Sequence, residues 1–239
     1  MARRYLNLVI LIGLGLTFCE TGIEINLTCW VKQTAETFRA RSQILGEKKW
    51  AMVNLSWGWT VKKPDGDSVI VERSPGGEED YTYLGSTDVD TVMTFTDKDS
   101  ILTGWAWYTY RLSLVAGERV DEFKKVDVDL PGYIDILTPG TDSLSIPNDT
   151  LQIVWHKLKE GGDEYKVEIF KSNATEPESL VNLINPIYST TTKDTMITVE
   201  VPDSLYPPLN GYIIRVINSK LVEFVTDTAT GFRAFFRLP

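Results

Sequence analysis

Residues 53–59 read VNLSWGW, so that Val53, Leu55, Trp57 and Trp59 alternate with Asn54, Ser56 and Gly58. In an extended chain successive side chains point to opposite faces, and this spacing gathers four apolar groups on one side of a strand. Segments of about five to eight residues with the same period of two recur along the chain, with almost no sustained 3.6-residue periodicity. Between them stand turn residues: PDGD at 64–67, PGGE at 75–78, AGE at 116–118, PG at 131–132 and 139–140, and EGGD at 160–163. Glycine supplies positive φ and proline fixes φ at such reversals. The pattern predicts an all-β protein.

The strand pattern occurs twice. LSWGW at 55–59 matches IVWHK at 153–157, pairing Leu55 with Ile153 and Trp57 with Trp155 at a separation of 98 residues. The same separation pairs Val69 with Val167, Val71 with Ile169, Arg73 with Lys171 and Ser74 with Ser172. YTYRL at 108–112 matches YIIRV at 212–216 after a few added loop residues. A fixed offset across separate segments is the mark of a tandem duplication. Half of 239 residues is also the size at which one β-sandwich closes its core.

Each half resembles a fibronectin type III domain. In that family a core tryptophan lies near the second strand, which matches Trp57 and Trp155. An alternating third strand follows, matching SVIVERS at 68–74 and YKVEIFKS at 165–172. Leu102 and Leu205 resemble the leucine ahead of the family's corner tyrosine, here Tyr108 and Tyr212, and MTFTDKD at 93–99 resembles the strand and turn between. The resemblance covers residues 45–239 and implies two tandem immunoglobulin-like sandwiches, 45–130 and 131–239, joined near Pro131. Trp57 and Trp155 then belong to the cores, whereas Trp59, matched by Lys157, is expected at a sheet end and partly exposed. Residues 19–44 read as a tether with a first strand at 37–44.

The N-terminus differs in kind. Arg3 and Arg4 precede an apolar run from Tyr5 to Phe18, too short to span a bilayer as a helix and typical of an export signal over residues 1–18. Leu16-Thr17-Phe18-Cys19 resembles the lipobox of bacterial lipoproteins, in which cleavage before the cysteine is followed by its acylation; Phe18 stands where that family has a small residue. The expectation is a protein held on a membrane of the bacterial cell envelope through lipidated Cys19. A disulfide from Cys19 to Cys29 is the alternative. Asn-x-Ser/Thr triplets at Asn26, Asn54, Asn148 and Asn173 keep open a secreted receptor-like fragment, although the second half lacks the WSxWS signature of cytokine receptors.

Little in the chain points to catalysis. A single histidine, His156, follows core Trp155 and is expected to face solvent; no cysteine or histidine spacing suggests a metal, and no glycine-rich phosphate loop appears. The acidic pairs Asp88/Asp90, Asp97/Asp99 and Asp127/Asp129, with Glu78-Glu79-Asp80, read as solvated surface. A net charge of −9 with no basic stripe disfavours nucleic acid. No cofactor is implied. WAWYTY at 105–110 is the exception to a bland surface. If Tyr108 faces the core, Trp105 and Trp107 face outward as a candidate platform for sugar rings or a partner protein, the alternative being a packed contact between the halves or with residues 20–49. The reading is a non-catalytic spacer or binding module for an envelope protein or glycan, with a carbohydrate-binding accessory module as the rival.

Overall fold

The computed structural model describes residues 29–42, 45–60, 62–140, 143–144, 150–174, 176–222 and 225–238. The export signal, Cys19, Asn26 and Asn148 lie outside these residues.

The chain opens with two long strands, β1 (Cys29–Ser42) and β2 (Gly46–Trp59), paired antiparallel along their whole length. β5 (Val92–Asp97) adds to the far edge of β2. Facing them is a second sheet of β3 (Ser68–Pro75), β4 (Thr82–Asp88), β6 (Trp107–Ala116) and β7 (Arg119–Asp129), in the order β4-β3-β6-β7. The alternation seen in the sequence becomes burial: Val53, Leu55 and Trp57 on β2 meet Val69 and Val71 on β3 and Tyr110, Leu112 and Leu114 on β6. Trp59 departs from expectation. It is buried because Phe123 on β7 reaches across to it, with ring centroids 5.1 Å apart.

A second sandwich repeats this plan. β8 (Ile136–Thr138), β10 (Thr150–Trp155) and β13 (Met196–Glu200) form one sheet. β11 (Tyr165–Lys171), β12 (Tyr188–Thr192), β14 (Gly211–Val222) and β15 (Val225–Arg237) form the other, with short β9 (Ser143–Leu144) beside the end of β15. Trp155 is buried against Tyr165, and Val167, Ile169, Ile214 and Val216 complete the core around them.

The two units share a sheet. β15 pairs in parallel with β1, from Glu36 opposite Thr228 to Ala40 opposite Phe232. The result is one continuous path, β12-β11-β14-β15-β1-β2-β5. This explains why residues 29–42, read as tether with a strand only from 37, are one 14-residue strand. The first part of β1 serves the first core through Ala35, and its second part lies over the neighbouring unit. There Phe38, Ala40 and Leu45 join Ile213, Phe232 and Ala234 and Leu180 of the short helix α1 (Pro177–Val181) in a third apolar cluster. Trp50 stacks on Phe38 at 5.2 Å and on Phe232 at 6.3 Å. Rigidity at the joint therefore comes from a shared sheet and a third core, not from Pro131 alone.

Candidate functional site

Trp105 and Trp107 have different settings. β6 begins at Trp107, so Trp105 is not part of the strand alternation; it stands in the preceding turn with φ 67°, a region bulky residues rarely occupy. Its backbone N–H donates to the Leu130 carbonyl at 3.1 Å, and Leu130 N–H donates to the Ala106 carbonyl at 2.8 Å. These two bonds bring its indole over the segment joining the sandwiches. A Cβ on Gly132 would lie 1.9 Å from the six-membered ring of Trp105, so only glycine leaves room for it. The arrangement is reciprocal, because Tyr133 lies over Gly104, where a Cβ would come within 2.8 Å of its ring. The Thr37 hydroxyl then donates to the Gly132 carbonyl at 2.9 Å, tying the same segment to β1. Trp107 rests instead on the turn after β3, with a Cβ on Gly76 only 2.2 Å from its indole. Each ring has one side covered by glycine backbone, yet Trp105 is 54% and Trp107 44% exposed.

Trp105 and Leu158, one from each sandwich, border two clefts at the junction. The narrower, about 170 Å³, has Asp127, Asp129, Glu160 and Asp227 in its walls with Lys220, Gln33 and Asn218. The wider, about 500 Å³, has Arg39, His156, Lys157 and Lys159 with Tyr133 and a single carboxylate, Asp135. Arg39 already holds Asp135 at 3.3 Å and Glu47 at 3.1 Å. His156 is exposed, as expected, and follows β10 where its backbone N–H donates to the Asp135 carbonyl at 3.1 Å. Of the clefts, the wider lies in the usual range for small-molecule sites and the narrower falls below it.

The acidic pairs are not all surface. Asp97 is buried between the sheets of the first unit, where Arg73 donates to it at 2.5 Å and the Tyr110 hydroxyl at 2.8 Å. Burial, then the charge of Asp97, pushes the Tyr110 hydroxyl far above the ordinary tyrosine range. The pair member Asp99 stays exposed and still reaches Arg73 at 3.1 Å. Asp127 accepts a bond from the Thr109 hydroxyl at 2.6 Å. Glu78, Glu79 and Asp80 are exposed. Cys29 is half-buried at the head of β1 with a free thiol that burial pushes up.

Two features recur in both units. An arginine on β6 and another on β14 each clasp a glutamate across the sheet: Arg111 with Glu72 at 2.7 Å, Arg215 with Glu168 at 2.7 Å. A tyrosine at the start of each of these strands turns back on the preceding loop. The Tyr108 hydroxyl donates to the Ile101 carbonyl at 3.0 Å and accepts from Thr103 N–H at 3.2 Å; the Tyr212 hydroxyl donates to the Pro207 carbonyl at 2.9 Å. Leu102 is buried beneath Tyr108, but in the second unit Leu205 is exposed and Tyr206 fills that place, packed 5.5 Å from Tyr212. A three-stranded sheet over a four-stranded one, closed by a corner tyrosine, decides the architecture.

Each unit is a fibronectin type III-like sandwich. Among solved structures similar to this chain are the FN1–FN3 domains of chicken CNTN1, 11% identical with a TM-score of 0.32 over 86% of this chain, and a two-domain fibronectin type III segment of chicken tenascin, 14% identical with a TM-score of 0.25 over 75%. The chain spans 63% of the first of these structures and 90% of the second. No family model and no curated protein matches the sequence.

The sequence places the joint near Pro131 but does not show Trp105 seated on Gly132 or Tyr133 on Gly104. Gly104-Trp105 and Gly132-Tyr133 are both glycine–aromatic steps, and that shared pattern beside the predicted joint was the available signal.

Proposed function

We propose that this is an exported, non-catalytic spacer and binding protein, anchored through lipidated Cys19 in a bacterial cell envelope and presenting a contact surface to an envelope protein or glycan. The fibronectin type III-like fold suits a binding or spacer role, and the observation that carries the reading is the parallel β1–β15 ladder. It makes the two sandwiches one block with a direction. With Phe38 opposite Thr230, Cys29 and Arg237 stand at opposite ends of the sheet, about 50 Å apart at the rise of a β-strand. Ten residues separate Cys19 from Cys29, a span of at most about 35 Å. An acyl anchor at Cys19 would hold the Cys29 end near the bilayer and send the pole with exposed Leu205, Leu209 and Leu238 outward. Acyl chains contribute about 0.8 kcal/mol per buried CH₂, so two or three chains make such anchoring durable.

The test is the mass of the mature N-terminal peptide from the native host, together with detergent partitioning of the protein and of Cys19→Ala. An acylated peptide beginning at Cys19, and a variant displaced to the aqueous phase, are expected. An unmodified N-terminus at another position overturns the anchor.

A further inference from the structure

The wider cleft at the junction has three properties that belong together. Its aromatic wall is held at a backbone cost: Trp105 keeps φ 67°, a strained conformation of the kind that collects at functional sites. One side of the indole is seated on Gly132, yet Trp105 is 54% exposed and borders the cleft, so ring surface remains for a flat ligand. The cleft also reverses the sign of the molecule. In a chain of net charge −9, its open rim carries Lys157, Lys159 and His156, while Arg39 and Asp135 already satisfy one another.

We propose that this cleft binds a carboxylate-bearing sugar ring, a hexuronate-type unit of an acidic glycan, stacked on the free side of Trp105 with its carboxylate held by Lys157 and Lys159. The axial C–H groups of a pyranose are apolar enough to cover an indole, and an anion there gains charge-assisted hydrogen bonds from ammonium groups. Its volume, about 500 Å³, admits more than one ring. A polyphosphate chain fits less well, because the acidic walls of the adjoining cleft, Asp127, Asp129, Glu160 and Asp227, stand across the Trp105–Leu158 ridge in its path. The inference rests on the reading of the fold as a binding module, and deepens it by naming the ligand chemistry.

The experiment is calorimetric titration of the full-length protein with oligogalacturonate, beside its fully methyl-esterified form and a single-stranded oligonucleotide of similar length, each at low and high salt. Expected are saturable binding of the free acid, weakening with salt, and affinity at least about tenfold lower for the ester, which lacks the charge that Lys157 and Lys159 would hold. Lys157→Glu/Lys159→Glu alters only exposed side chains and should abolish the binding with an unchanged unfolding midpoint. Trp105→Gly keeps the positive φ while removing the ring, and should lower affinity for acid and ester alike. Equal binding of acid and ester, tighter binding of the oligonucleotide, or full affinity in the double lysine variant each overturn the proposal, as does no binding. The acylation measurement is independent, so a failure of the cleft and a failure of the anchor are told apart. An unchanged oligosaccharide length after incubation is expected of binding without cleavage.

Discussion

Gly132 carries more of the junction than its size suggests. Its α-carbon lies under the Trp105 ring, where an added Cβ would sit 1.9 Å from one ring atom and 2.1 Å from another. The ring cannot slide aside freely, since the Trp105 N–H is bonded to Leu130 and Gly132 is itself bonded to Thr37. Gly132→Ala should therefore cost about 1–3 kcal/mol, the usual range for overpacking, read as a lower urea midpoint at constant m-value. Gly140→Ala is the control, because its φ lies outside the left-handed region and the nearest atom to the added Cβ, the Leu137 carbonyl oxygen, is at an ordinary 3.7 Å. It should lose nothing, and gain up to about 1 kcal/mol by restricting the unfolded chain. Equal losses in the two variants would mean that the indole does not press on Gly132. Alternation placed Trp57 and Trp155 correctly because a strand's face is decided by its period alone. The match with Lys157 misplaced Trp59, and the abundance of acids misplaced Asp97, although alternation sets both on the inner face, where Phe123 and Arg73 meet them. Alternation failed for Trp105 because the residue stands outside β6, where a turn and not a pleat aims the side chain.

Strand pairing shows what a period of two leaves undetermined. Comparison at a separation of 98 pairs Val71 with Ile169, but the ladders place Val71 opposite Leu112 and Val167 opposite Val216. Leu112 and Val216 are the matched residues of the two repeats, so Val71 corresponds to Val167 and Glu72 to Glu168. A shift of two residues keeps every side chain on its face, and is therefore invisible to hydrophobic alternation. The repeated Glu–Arg clasp emerges only from the register. The β1–β15 ladder was equally hidden, as a parallel pairing between the first and last strands leaves no local signal. That ladder has an electrostatic consequence. Asp227 accepts a hydrogen bond from Ala35 N–H at 2.8 Å, and burial, then nearby Asp129, raises its carboxyl above the ordinary value of 3.8. The folded state therefore binds the proton more tightly than the unfolded chain, and stability falls as pH rises from about 3.8 through the raised folded value. Asp227→Asn keeps an oxygen to accept from Ala35 and removes the charge. Its urea midpoint relative to the wild type should rise across that window and level off above it. A difference that is flat between pH 3.5 and 6.5, or one that favours the wild type at neutral pH, would refute the assignment.

At the scale of the whole molecule the question is whether two sandwiches behave as two domains. Units joined only by a short segment unfold separately or nearly so, and their relative motion is the default expectation. Here the hairpin of β1 and β2 extends past its own core and covers Ile213, Phe232 and Ala234 on the outer face of the second unit. Without that cover the second sandwich would expose a contiguous apolar surface, and without β15 the edge of β1 would be unpaired along Glu36–Ala40. Each unit thus completes the other, and the coupling is concentrated at Phe38, which is buried against Trp50 within the third cluster. Calorimetry of the intact protein should show one transition, with equal calorimetric and van't Hoff enthalpies. Phe38→Ala removes a buried aromatic at a cost of about 3–5 kcal/mol, and does so at the contact the units share. It should separate the single transition into two, the second sandwich melting first because its outer face is then poorly covered. Two resolved transitions already in the wild type would mean that the shared sheet joins the units without coupling them.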